Sequence, residues 1–165
     1  MYFDELPLDD RLLDALYEMR FDECTPIQEQ AIPPLLEGRD LVGIAQTGTG
    51  KTAAYLLPVL NRLCSGEYPE GNVNCVIMVP TRELAMQIDQ ALEAFSYHLP
   101  FSGVAVYGGN DGIRYEQEKR GFDSGASIII ATPSSNISTM SVSSITFCGA
   151  FFGVSALLST AAHAE

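Results

Sequence analysis

The chain has 165 residues, a hydrophobic share of 47% and a formal net charge of −12 at pH 7. This length fits one domain with a substantial core. The excess of acidic residues opposes nucleic-acid binding as a bulk property, although a local basic surface or a surface of backbone N–H groups could still bind nucleic acid. The four cysteines show no Cys-x-x-Cys spacing, which argues against zinc and a disulfide framework and favours a reducing, cytoplasmic setting.

The N-terminal third predicts two helices. Residues 1–5 are acidic and lack the basic start of a signal peptide. Residues 8–19 place leucines on one helical face, with Asp9 or Asp10 as the cap. A second helix is predicted over residues 26–36, because Thr25 is a suitable N-cap, proline follows it, and Gln28 completes a capping box.

A glycine-rich loop dominates the middle of the chain. Residues 45–52 read Ala-Gln-Thr-Gly-Thr-Gly-Lys-Thr, between the apolar run 41–44 and a helical pattern that runs to about residue 64. Strand, glycine loop and helix is the context of a phosphate-binding loop, in which Lys51 reaches the β- and γ-phosphates and Thr52 holds Mg²⁺. Ala45 stands where the general pattern has glycine, so a plain glycine turn capped by threonine stays open as an alternative.

Three further strands follow. The apolar runs 74–79, 103–107 and 127–131 predict strands, with helices over 80–97 and 111–120. Strands alternating with helices indicate an α/β fold, a parallel sheet flanked by helices on both faces. The notable segments all follow strand ends, where such sheets bind ligands: the glycine loop, residues 80–85, Gly108-Gly109 and Thr132-Pro133.

In this order and spacing the motifs resemble the first RecA-like domain of DEAD-box RNA helicases, a P-loop NTPase family. Phe3 with residues 21–28 resembles the adenine-reading Q motif, residues 45–52 match motif I including its alanine, and residues 80–85 match motif Ia in full. The resemblance covers about residues 2–133. Arg20 departs from it where glycine is common, and Cys24 departs where proline is common.

The resemblance implies ATP and Mg²⁺ as cofactors. Lys51 and Thr52 would serve catalysis, and Thr52 would bind the metal. Gln28 would hydrogen-bond the adenine edge, which is compatible with Thr25 capping its helix, and Phe21 would stack on the ring. The nucleotide-binding residues so implied are Phe21, Gln28, Thr47, Gly48, Thr49, Gly50, Lys51 and Thr52.

The same resemblance implies RNA as a partner, gripped at sugar and phosphate without base reading. The implied contacts are Pro80, Thr81, Arg82, Gly108, Gly109, Thr132 and Pro133. Two alternatives stay open: Arg82 as a solvated charge at a helix start, and Gly108-Gly109 as a plain turn.

The resemblance stops at Pro133, which divides the chain into an ATP-binding domain over residues 1–133 and a tail over 134–165. No Asp-Glu-Ala-Asp occurs anywhere. Residues 145–162 are uncharged, but hydroxyl residues and glycines interrupt them and no basic flank exists, so we expect no membrane anchor. The expected continuation is Gly-Arg-Leu-Ile-Ser, which can be coded GGT CGT CTA ATA TCN. Deleting the first two bases gives TCG TCT AAT ATC, which codes for Ser-Ser-Asn-Ile, as found at residues 134–137. We therefore hypothesise a frameshift after Pro133, in the gene or its recorded sequence, or a misassigned segment.

The predicted function is ATP-dependent RNA unwinding by a longer parent protein, a cytoplasmic monomer with a second RecA-like domain. The alternative is a nucleotide- or RNA-binding module without turnover, because the motif II carboxylates and the second domain are missing from these residues.

Overall fold

A computed structural model describes residues 1–68, 72–106 and 125–133 in full, and the backbone of 146–151 and 155–160. The helices are α1 (Asp10–Glu18), α2 (Pro26–Leu36), α3 (Lys51–Cys64) and α4 (Arg82–Phe95), preceded by a short 3-10 turn at Phe3–Glu5. The strands are β1 (Leu41–Gly43), β2 (Cys75–Met78), β3 (Gly103–Val106), β4 (Ile128–Ala131), β5 (Thr146–Phe151) and β6 (Ser155–Thr160). The predicted helix over 111–120 lies outside the described residues.

The strands form one sheet in the order β1-β6-β5-β2-β4-β3. Strands β3, β4, β2 and β5 pair in parallel, and β6 runs antiparallel to both β5 and β1. Five strands therefore point the same way, as the α/β prediction requires. The two strands of residues 134–165 were not predicted, because no alternation or turn pattern in that tail distinguished them.

Alternate residues of the central strands enter two different cores. On one face, Cys75, Ile77, Ile128 and Ile130 pack with buried residues of all four described helices. On the other face, Val76 and Ile129 form a smaller cluster with Val106 and Ala131. This burial on both faces explains why the strands read as continuous apolar runs.

The predicted N-caps are confirmed. The Asp9 carboxylate accepts the Arg11 N–H at 3.0 Å and pairs with the Arg11 guanidinium, whose hydrogen bond lowers the pKa of Asp9. That stabilisation is present above the pKa of an unfolded aspartate and is lost as pH falls through the lower folded value. Thr25 caps α2 as predicted, and Thr81, which was not predicted as a cap, caps α4.

Helices α1 and α2 end in the same Schellman hydrogen-bond pattern with different residues. At the end of α2, Gly38 (φ +77°) donates to Leu35 O at 3.0 Å. At the end of α1, Arg20 (φ +58°) donates to Tyr17 O at 3.0 Å. Glycine adopts this left-handed conformation without a Cβ penalty, whereas arginine is strained there. The departure of Arg20 from the family pattern therefore concerns the backbone conformation at this position.

Replacing Arg20 with Gly should raise the free energy of unfolding by about 0.5–1 kcal/mol, since relief of strain exceeds the added flexibility of the unfolded chain. Urea denaturation measures this change. Arg20→Ala is the matched control, because it removes the charge and keeps the Cβ. An equal gain in Arg20→Ala would assign the effect to the side chain and contradict the backbone explanation.

Candidate functional site

The glycine loop joins β1 to α3 at the carboxyl edge of the parallel strands. Gly48 (φ +81°) and Gly50 (φ +85°) both lie in the left-handed region, and Gly50 is the residue that precedes the first turn of α3. The N-terminus of α3 therefore faces the loop with its unpaired backbone N–H groups and the positive end of its dipole. This arrangement suits a phosphate group.

Lys51 lies across the loop. Its ammonium group donates to the carbonyl oxygens of Ala45 and of Gln46, the latter at 2.6 Å. The Thr49 hydroxyl donates to the same Gln46 oxygen at 2.7 Å. Phosphate oxygens are stronger acceptors for an ammonium group than neutral carbonyls are, so Lys51 can exchange these contacts for a polyphosphate. Thr52 is half-buried in the first turn of α3, next to Lys51 in the chain.

The start of α2 is hydrogen-bonded to the glycine loop. The Thr25 hydroxyl donates to Thr49 O at 2.8 Å, and the Gln28 side-chain amide donates to Gly50 O at 3.1 Å. The amide oxygen of Gln28 accepts the backbone N–H of Thr25 at 2.8 Å, which confirms the capping box. Gln28 is only 5% exposed. Its amide therefore serves the cap and the loop together, and an adenine base would have to compete for it.

Gly50 fits this contact because it has no side chain. A Cβ on Gly50 would lie 2.4 Å from the Gln28 amide nitrogen and 3.2 Å from the Thr25 hydroxyl. At Gly48 a Cβ would meet nothing within 4 Å. The close packing of α2 against the loop thus depends on glycine at position 50 in particular.

Phe21 follows α1, and its ring packs against the end of α4. Its ring lies 6.2 Å from the ring of Phe95, with an angle of 38° between the planes, and its side chain is 45% exposed. Phe3, the upstream aromatic residue, is 3% exposed in the main core. Stacking of Phe21 on a base stays a prediction.

Only some of the residues that were predicted to contact RNA are exposed. Pro80, Thr81 and Arg82 are exposed at the start of α4, on the same edge of the sheet as the glycine loop. Thr132 is 2% exposed, so its side chain is not available to a polyanion here, whereas Pro133 is exposed. Gly108 and Gly109 lie outside the described residues.

The donor set around the loop fits a nucleotide-bound Mg²⁺ better than a metal held by protein alone. No group of three or more His, Cys, Asp and Glu residues that could hold a metal ion occurs within the described ranges. Mg²⁺ commonly takes one or two protein oxygens and completes its shell with phosphate and water, which the hydroxyl of Thr52 would suit. Burial raises the pKa of Cys75 to about 12, so this thiol stays protonated and unsuited to bind metal.

Comparison with known proteins agrees with this geometry. The family model "DEAD/DEAH box helicase" matches residues 25–149. The chain belongs to the DEAD/DEAH box helicase family. The match begins at Thr25, which contacts the loop, and continues beyond Pro133. Membership also confirms the predicted RecA-like α/β fold.

The relatives of this DEAD-box chain are named as RNA helicases. It is 42% identical over 131 residues to the ATP-dependent RNA helicase CshA of Listeria monocytogenes, covering 79% of this chain and 24% of that protein. It is 42% identical over 132 residues to RhlB of Pseudoalteromonas atlantica, covering 79% and 31%. Among solved structures it is similar to the RNA helicase Prp28 of Chaetomium thermophilum bound to ADP, with a TM-score of 0.67, 45% identity, and coverage of 76% and 30%. The chain therefore spans less than a third of each of these proteins.

Within the described part of the DEAD-box chain, no helix is long and apolar enough to cross a membrane. The uncharged stretch over 145–162 contains the backbone of β5 and β6 instead, two six-residue strands.

Proposed function

We propose that this chain is the ATP-binding domain of an ATP-dependent RNA helicase. The observation that carries the proposal is the glycine loop at the N-terminus of α3, with Lys51 across it and the start of α2 hydrogen-bonded to its last residues. The names of the relatives supply the reaction class, and the solved relative with bound ADP supports the choice of nucleotide.

In this proposal the backbone N–H groups of the loop bind the phosphates of ATP, and Lys51 holds the β- and γ-phosphates. Thr52 is the protein ligand of Mg²⁺, which when bound neutralises charge on the phosphates. Gln28 reads the adenine edge, while Thr47 and Thr49 complete the loop. These residues bind and orient the nucleotide, and they include no carboxylate that could orient an attacking water molecule.

We propose that RNA binds along the carboxyl edge of the sheet through Pro80, Thr81 and Arg82. Further contacts to the RNA backbone are proposed for Gly108, Gly109 and Pro133. The net charge of −12 makes long-range attraction weak, so this contact is local, independent of base sequence and sensitive to salt. We propose that the parent protein is a cytoplasmic monomer that supplies a second RecA-like domain.

A second candidate function is binding of nucleotide or RNA without turnover. The specific observation in its favour is the lack of Asp-Glu-Ala-Asp in these residues. Both candidate functions require the same nucleotide site. Selectivity for the base of the nucleotide therefore tests the site that both functions share.

Wild-type protein should bind ADP about tenfold more tightly than GDP, because a guanine edge mismatches the Gln28 amide, and one to two hydrogen bonds are worth about 1 kcal/mol each. Calorimetry with both nucleotides in the presence of Mg²⁺ measures the ratio. In Gln28→Ala this ratio should fall to about one, and the melting temperature should also fall, since the variant leaves the α2 cap incomplete.

The ratio is insensitive to that loss of stability, because both nucleotides meet the same folded fraction. Thr81→Ala is a matched control that removes the cap of α4 and leaves Gln28 intact, and it should keep the preference for ADP. Equal affinities in the wild type would count against Gln28 as the adenine reader, and no binding of either nucleotide would count against the proposed function itself.

A further inference from the structure

Strand β1, which leads into the glycine loop, is weakly packed on both faces. On one face Val42 is 61% exposed, and Ile44, directly after the strand, is 64% exposed. On the other face Leu41 and Gly43 line a small apolar cavity between β1, α2 and α3. A strand of three residues with so little burial gains little stability from its side chains. Its position therefore depends on backbone hydrogen bonds to a neighbouring strand.

That neighbour is β6, in the tail where the resemblance to the family has stopped. Residues 41–43 pair with residues 156–158 in antiparallel register. Within the described ranges, β6 is the only strand partner of β1. Strand β6 pairs in turn with β5, and β5 pairs with β2. The tail strands, β5 and β6, therefore join β1 to the rest of the sheet.

The tail strands also separate the two edges of the proposed site. Three steps of the strand order lead from β1 to β2. Neighbouring strands lie about 4.8 Å apart, so β1 lies about 14 Å from β2 across the sheet. The glycine loop follows β1, and the exposed residues 80–82 follow β2. The distance between these two segments is thus set by strands of the tail.

Strand β1 leads directly to the part of the loop that holds Lys51. Ala45 and Gln46 come shortly after the end of β1, and their carbonyl oxygens accept the ammonium group of Lys51. The last residues of the loop, Thr49 and Gly50, are held separately, by hydrogen bonds from the start of α2. A displacement of β1 would therefore move the first half of the loop against the second half.

We infer that the tail strands β5 and β6 are positioning elements of the nucleotide site. By pairing with β1, β6 holds the first half of the glycine loop, and with it Lys51, in place against the rest of the sheet. The inference rests on the proposed nucleotide binding. It assigns a role to residues 146–160, which lie beyond the resemblance that ends at Pro133.

The register of the tail strands allows their pairing to be tested chemically. Cys148 of β5 lies opposite Leu158 of β6. Directly opposed residues of antiparallel strands have Cα atoms about 4.5–5.5 Å apart, a distance that a disulfide bridges. Leu158→Cys should therefore form a disulfide with Cys148 on mild oxidation, detected by mass spectrometry of peptides.

Leu157→Cys is the matched control for this crosslink. Position 157 lies opposite Gly149, on the other face of the sheet from Cys148. The control should therefore not crosslink to Cys148. Equal crosslinking of the two variants, or none in Leu158→Cys, would remove the pairing and overturn the inference.

Hydrogen exchange of the wild-type chain tests the link to the nucleotide. If pairing of β6 with β1 is required for binding, bound nucleotide must stabilise that pairing in return, because linkage is reciprocal. ADP–Mg²⁺ at about 100 times its dissociation constant should slow amide exchange in residues 155–160 by up to about 100-fold. Residues 103–106 of β3, at the far edge of the sheet, are the internal control and should keep their rates. Unchanged exchange in β6, or equal slowing in β6 and β3, would contradict the inference.

Leu158→Pro breaks the pairing directly. Strand β6 has partners on both sides, so proline at this position removes a ladder hydrogen bond. The affinity for ADP should fall about fivefold or more, which corresponds to one such bond. Val106→Ala is the matched control, because it truncates a residue that is 5% exposed in β3 and lowers stability far from β1. It should leave the ADP affinity of the folded protein unchanged, and an equal loss in both variants would reject the positioning role.

Amide NMR signals separate a failure of this inference from a failure of the proposed function. If the wild type binds no ADP, the proposed function fails, and the signals of Gln46 and Lys51 then decide the positioning role by themselves. A shift of these signals in Leu158→Pro but not in Val106→Ala upholds the role. Unchanged signals, or the same shift in both variants, reject it.

Discussion

Gly50→Ala should weaken nucleotide binding at least about 30-fold and lower the free energy of unfolding by about 2–3 kcal/mol. A left-handed φ costs a residue with a Cβ about 1–2 kcal/mol, and the new Cβ would lie 2.4 Å from the Gln28 amide nitrogen. Gln28 must then leave Gly50 O, which forfeits a hydrogen bond worth about 1 kcal/mol. If the distorted loop costs about 2 kcal/mol or more of binding free energy, the affinity for ADP falls at least about 30-fold. Calorimetry and urea denaturation measure the two effects.

The chain contains two controls for this change. Gly38 (φ +77°) and Gly48 (φ +81°) share the left-handed conformation, and at both positions an added Cβ would meet nothing within 4 Å. Gly38→Ala should lower stability with no loss of ADP affinity, since Gly38 ends α2 away from the loop. Gly48→Ala introduces backbone strain within the loop without a new side-chain contact, so it measures the effect of strain by itself. If Gly50→Ala behaved like Gly48→Ala in both measurements, the contact between α2 and the loop would contribute nothing.

The sequence predicted most of the fold because local signals agreed with the tertiary structure. Each predicted helix and strand of residues 1–106 is present within a few residues, since caps such as Asp9 and Thr25 and continuous apolar runs are themselves local features. Strand β1 ends at Gly43, earlier than the apolar run suggested, and leaves Ile44 64% exposed. Hydrophobicity alone does not report where hydrogen-bond pairing stops.

The site was less predictable because its contacts are between segments. Lys51 and Gly50 follow from a contiguous motif, but the Thr25 hydroxyl reaches Thr49 O across 24 positions, and no spacing in the sequence reveals that bond. The contact between the rings of Phe21 and Phe95 is likewise a tertiary contact that no local pattern predicts. Thr132 was assigned to RNA, and burial of the β4 end hides it.

Arg20 departs from the resemblance at a position where the backbone is left-handed. The positive φ of Arg20 is the conformation that glycine adopts without a Cβ penalty, which accounts for glycine as the residue that the resemblance leads one to expect there. The Phe21 N–H completes the same motif by donating to Leu16 O at 2.9 Å.

The 165-residue chain should bind ADP–Mg²⁺ and yet hydrolyse ATP at close to the background rate, even with saturating RNA. Phosphoryl transfer depends on positioned charge, and an arginine finger alone is worth about 10³- to 10⁵-fold in rate. The chain covers only 24% of one relative and 31% of another, and in our proposal the second domain that would supply such an arginine belongs to the longer parent protein. After Arg120 the sequence contains only two carboxylates, Asp123 and Glu165, in place of an acidic motif that orients water.

Single-turnover hydrolysis of labelled ATP, with and without single-stranded RNA, measures this expectation, and calorimetry with ADP on the same sample shows that the site is intact. Lys51→Ala is the negative control, because it removes the ammonium group that lies across the loop. RNA-stimulated hydrolysis that persists through purification and disappears in Lys51→Ala would contradict the expectation. It would mean that carboxylates elsewhere in these residues orient the water, and charge reversal at Asp123 would then identify or exclude the first of them.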